Sequence, residues 1–111
     1  MNSFVIIFRR QAPPLPDAER QRLNAETAAW AKTLNDAGHK LEPRILSAEN
    51  VHHGPDSASV QQNTWTVSAL LFLEANDLNH AVQISGSHPG LRYGFNVEVR
   101  PWSKPPSAAR P

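Results

Sequence analysis

His88 is the residue of this 111-residue chain best placed to do chemistry. It stands in Ser87-His88-Pro89-Gly90, a turn between a short helical pattern and a final strand pattern. An imidazole there can titrate near neutral pH and serve as acid, base or ligand anchor. A plainer role competes, because proline restricts the residue before it and His-Pro can simply shape the turn. Glu98 and Arg100 share one face of the last strand pattern, and a buried Arg100 would hold a carboxylate or phosphate through its forked donors. A salt bridge between the two is the competing reading. Arg44, beside Glu42, carries the same two readings; Arg44 and Arg9 join the same cavity if their strands face it. Trp65 opens a strand pattern and is a candidate ligand wall, whereas Trp30 lies on a helical core stripe and reads as packing. Tyr93 and Arg92, after the His88 turn, could line a pocket mouth, and an exposed loop is the plainer account. His52-His53 with Asp56 lacks a further ligand at metal-site spacing, so no metal site is expected; His39 and His80 read as surface residues.

The elements that must position these residues follow from periodicity. Ser3 to Arg9 alternates Phe4, Ile6 and Phe8 against Val5, Ile7 and Arg9; both sets are mostly apolar, which predicts a central strand covered on both faces. After the prolines at 13, 14 and 16, Asp17 is a candidate N-cap and residues 20–37 follow a helical pattern. Its stripe is Leu23, Thr27, Trp30, Leu34 and Ala37, with Gly38 as the left-handed cap. Residues 40–51 read as extended, and Pro43 favours a sheet edge or a bulge. Residues 52–63 form a polar loop, and residues 65–75 the strongest strand. Asn76 or Asp77 caps a second helix with buried stripe Leu78, Ala81, Val82 and Ser85, His80 opposite, and Gly86 at its end. In the last strand, residues 94–102, Phe95, Val97 and Val99 take one face and Asn96, Glu98 and Arg100 the other.

This order spells β-α-β-β-α-β, an α+β ferredoxin-like domain with a four-stranded antiparallel sheet and two helices on one face. The other sheet face is left bare. It carries Val5 and Ile7 beside Glu98 and Arg100, too apolar for solvent and too polar for a closed core. Pairing two such faces hides the apolar part and encloses the polar part, which predicts a homodimer.

Composition narrows the classes. Apolar content of 40% and charge content of 19% describe a soluble single domain, residues 1–102, followed by a flexible Pro-rich tail, residues 103–111. A net charge of +1 argues against nucleic acid as a partner, since that needs a concentrated basic surface. Absence of cysteine removes disulfides, thiol catalysis and thiolate metal sites. No apolar run reaches membrane-spanning length and the chain opens on a strand pattern, so a cytoplasmic protein without a membrane partner is expected. Gly-rich phosphate loops, nucleophile elbows and EF-hand patterns are absent, and no cofactor is expected.

Phe4-Val5-Ile6-Ile7, Trp30, Gly38, Asp77-Leu78, His88-Pro89 and Val97-Glu98-Val99-Arg100-Pro101 occur in the order and spacing of a known group. Through them the chain resembles the YCII-related family of dimeric α/β-barrel, ferredoxin-like proteins over nearly all of residues 4–102. The resemblance implies dimerisation through sheet faces and clefts near the dimer interface. It departs at two places. The family's Asp-Gly-Pro-Phe signature is here His53-Gly54-Pro55-Asp56, and its first-helix histidine and its aspartate before a proline fall at Thr27 and His88. Three functions stay open. The first is a YCII-like protein binding an acidic or aromatic metabolite near a homodimer interface through His88, Arg44, Trp65, Glu98 and Arg100, with acid/base catalysis at His88 as an option. The others are a cofactor-free monooxygenase or haem-handling protein, and a non-catalytic dimerisation module.

Overall fold

The computed structural model describes residues 1–10, 13–47, 49–55 and 65–106. Asp56, most of the polar loop and the end of the expected tail lie outside the described residues. The elements are β1 (Asn2–Arg10), α1 (Asp17–Asp36), β2 (Glu42–Ile45), β3 (Thr66–Ala75), α2 (Leu78–Gly86), a 3-10 helix (Pro89–Tyr93) and β4 (Phe95–Pro101). The sheet order is β2-β3-β1-β4 with every pairing antiparallel, the ferredoxin-like arrangement. β1 is central, as its two apolar faces require.

Register sorts the side chains. Ile6 pairs with Leu71 and Val99, and Phe8 with Ala69 and Val97. These residues face the helices, where Phe4, Ile6, Phe8, Leu71, Leu73 and Ala75 close a core with Ala81 and Ile84 of α2. Ile6 is wholly buried, worth about 1.5–3 kcal/mol of transfer free energy. Val5 pairs with Phe72 and Arg100, and Ile7 with Leu70 and Glu98, on the opposite face. The expected division of the sheet therefore holds.

Several local expectations are corrected. β2 is four residues long rather than spanning residues 40–51; among the described strands it pairs with β3 alone, so its outer edge tolerates Pro43, which has no N–H to leave unpaired. Asp17 is the first helical residue, not the cap: Pro16 occupies the cap position, and the Asp17 carboxylate pairs with Arg20 at 2.5 Å. Asp77 does cap α2, accepting from the His80 backbone N–H at 2.8 Å. The buried stripe of α2 is Ala81, Ile84 and Ser85, whereas Leu78 and Val82 are exposed. His39 is buried rather than superficial; its Nδ1 lies 2.7 Å from the Glu74 carbonyl and its ring packs edge-on against His80.

The two helices differ in how they meet the sheet. α2 has three buried residues, α1 none. Trp30 and Leu34 of α1 pack on the rim of the core, and the sparse apolar stripe leaves a gap between the rest of α1 and the sheet.

Candidate functional site

The gap beneath α1 is built around the turn after α2. His88 precedes proline, which holds it extended at φ −67°, ψ 132°. In that conformation its side chain caps the 3-10 helix, Nδ1 accepting from the Gly90 backbone N–H at 2.9 Å. Gly90 is required by space, since a Cβ there would sit 2.9 Å from His88 Nδ1 and 3.2 Å from Cε1. The imidazole lies between the rings of Phe8 and Trp30, each with its centroid 4.7 Å away. Trp30 is fixed in turn: its Nε1–H donates to Ser87 Oγ at 2.8 Å, and Ser87 Oγ–H donates to the Ile84 carbonyl at 2.7 Å.

Burial pushes the His88 imidazole down from 6.5 to about 4, because a charged ring loses its hydration among these aromatic neighbours. The ring is therefore neutral near pH 7. With Nδ1 occupied as an acceptor, its proton resides on Nε2, a donor with no hydrogen-bond partner among the described residues.

His88 forms part of the wall of a cleft of about 400 Å³ between α1 and the sheet, within the range of small-molecule sites. Phe8, Phe95 and Leu71 supply wall from the sheet side; Thr27, Trp30 and Ala31 supply wall from α1. Outside it, Glu26 of α1 accepts from the Tyr93 hydroxyl at 2.7 Å and from Arg92, tying the helix to the 3-10 turn. Those two hydrogen bonds hold the Glu26 carboxyl below its ordinary range, and the Glu26 carboxylate raises Tyr93.

The opposite sheet face presents an apolar centre of Val5, Ile7, Leu70 and Phe72, with Trp102 edge-on to Phe72 at 5.5 Å. Charges flank it. Glu98 accepts from Arg9 at 2.5 Å and lies 3.4 Å from Arg100; Arg44 lies 3.9 Å from Glu42.

The structure does not gather the sequence candidates into one place. His88 is on the helix side of the sheet, whereas Arg44, Glu98 and Arg100 sit at open-face register positions. Trp65 directly precedes β3, half-buried, and is not among the described residues lining the cleft. The ion pairs anticipated for Glu98–Arg100 and Glu42–Arg44 are present. Among the described residues no group of three or more His, Asp or Glu side chains could hold a metal ion. No described helix is long and apolar enough to cross a membrane. Sequence reasoning missed Gly90, whose spacing two residues after His88 was the available signal.

Helices on one side, a 2-3-1-4 antiparallel sheet and a cleft beneath α1 can be compared with solved proteins. The fold is shared with a dehydrochlorinase. The 5-chloro-2-hydroxyhydroquinone dehydrochlorinase of Burkholderia phenoliruptrix AC1100, solved in complex with 2,5-dihydroxybenzoquinone, matches 89% of this chain and 93% of its own. The TM-score is 0.50 and the identity 17%, a likeness of fold. No family model matches the chain, and no curated protein matches it in sequence.

Proposed function

We propose that this protein is a YCII-like homodimer that binds a small, flat ring compound in the cleft beneath α1. The observation that carries the reading is the cleft itself: about 400 Å³, aromatic-walled, with one donor on His88 that has no partner among the described residues. Sites of this kind bind by burying a ring and orienting it with a few polar groups. Two further points support it. Thr27 and His88, the positions matched to the family's paired histidine and aspartate, both line this cleft. The structurally similar dehydrochlorinase was solved with a ring compound bound.

In this reading the open sheet face is the dimer surface. Val5, Ile7, Leu70 and Phe72 of two copies cover each other, and Arg9, Arg44, Glu98 and Arg100 form its charged border. Neutral His88, with no carboxylate of the described residues on its ring, orients a ligand better than it transfers a proton.

The test is a thermal-shift titration with monocyclic phenols, quinones and aryl ethers, since a ligand of the native state raises its stability by mass action. Thr27→Trp fills the cleft from the α1 side without altering a core residue. A saturable shift lost in Thr27→Trp is expected. Equal shifts in both proteins, or none in either, would remove the reading.

A further inference from the structure

We infer that the cleft accepts its ring ligand only in an uncharged form, as an oxygen-bearing arene or quinone whose acceptor oxygen takes the Nε2–H of His88. This inference rests on the proposed ligand site and adds a ligand class to it.

None of the described residues around the cleft carries a charged side chain. Nearby charges are directed elsewhere: Glu26 is engaged by Tyr93 and Arg92. Arg10 stacks on the Phe95 ring with its guanidinium carbon 5.6 Å from the centroid, and its Nε–H donates to the Tyr93 carbonyl. The open-face charges lie on the far side of the sheet. An anion entering the cleft would exchange its hydration for Phe, Leu and Trp surface without a paired cation, and burial of an unpaired charge is strongly unfavourable.

The lining's hydrogen-bonding capacity agrees. Trp30 Nε1–H is committed to Ser87, and Asn35 Oδ1 to the Leu41 N–H at 2.7 Å. His88 Nε2–H remains, with the Thr27 hydroxyl, the Asn24 amide and the Asn35 amide NH2 on α1, none of these partnered among the described residues; Ser68 Oγ donates to the Phe8 carbonyl at 3.4 Å. These groups suit a neutral ring with a carbonyl, phenol or ether oxygen at its buried end and a second polar group toward α1. The residues facing the imidazole are Phe8 from β1, Trp30 from α1 and Gly90 from the 3-10 turn, and none of them ionises. The site can therefore match a ligand's charge only by protonating His88, which its apolar setting opposes.

The experiment uses 4-nitrophenol, which changes colour on ionisation, and 4-nitroanisole, which cannot ionise. Affinity for 4-nitroanisole should not change as the pH is raised across the pKa of nitrophenol. Apparent affinity for 4-nitrophenol should fall about tenfold per pH unit above that pKa. The bound chromophore should keep the spectrum of the neutral phenol, and Thr27→Trp should abolish both complexes. Two results would overturn the inference while leaving the ligand site standing: a bound nitrophenolate spectrum, or nitrophenol binding that does not weaken with pH, each lost in Thr27→Trp. Failure of both compounds to bind, or binding unaffected by Thr27→Trp, would remove the site and the inference together.

Discussion

Lowering the pH from about 7 to about 5 should remove about 2 kcal/mol of folding stability through His88 alone. The folded imidazole titrates at about 4 and the unfolded one at 6.5, so below 6.5 the unfolded chain binds a proton that the folded chain refuses. Stability is then lost as the pH falls through the unfolded value, and the loss levels off below the folded one. At pH 4, with the folded ring half protonated, it amounts to about 3 kcal/mol, using about 1.4 kcal/mol per pKa unit. Comparison with His88→Asn isolates the effect, because asparagine is a good capping residue for the Gly90 N–H but does not titrate. The variant loses ring packing against Phe8 and Trp30, a cost independent of pH. Urea unfolding of both proteins between about pH 7 and about pH 4 should show their stability difference narrowing by 2–3 kcal/mol, a slope set by one proton. A difference that stays constant across that range would refute the argument that the ring is held neutral by burial.

Four other outcomes are expected. Ile7→Glu places a carboxylate at the centre of the open face, at the position paired with Leu70 and Glu98, and should convert the proposed dimer to monomers in analytical ultracentrifugation while preserving the fold. Gly90→Ala drives a methyl group against the His88 ring and should cost about 1–3 kcal/mol by overpacking, read by denaturant titration. Asp77→Ala removes the α2 cap and should cost about 1 kcal/mol by the same assay, whereas Arg9→Ala breaks a partly exposed pair and should cost less than about 1 kcal/mol in the monomer.

The sheet and its two faces were legible because alternation in Phe4–Arg9 and Phe95–Arg100 assigns each side chain to a side without reference to the rest of the chain. Pro43 likewise pointed to a sheet edge or a bulge, and the edge is the position that β2 takes. The stripe of α2 was half legible: Ala81 and Ser85 are buried as expected, but Leu78 and Val82 compete with Ile84 at equivalent spacing, and a helix this apolar has no single face until the sheet chooses one. The environment of His88 was also hidden. It depends on Phe8 and Trp30, far away in sequence, and its nearness to Glu98 along the chain concealed that the sheet lies between them. His39 looked superficial for a similar reason, since the carbonyl that receives it belongs to Glu74.

α1 roofs the cleft without contributing a single fully buried residue. Roof and foundation are thus separate: Asn24, Thr27 and Ala31 can be exchanged without opening a void among Phe4, Ile6, Phe8 and Leu73. Mutations that alter what the cleft accepts need not erode the stability that tolerates further mutation. A combinatorial library confined to those three positions would therefore sample new ligand preferences on an unchanged sheet, and the lineage of such a protein could change its diet more easily than its shape.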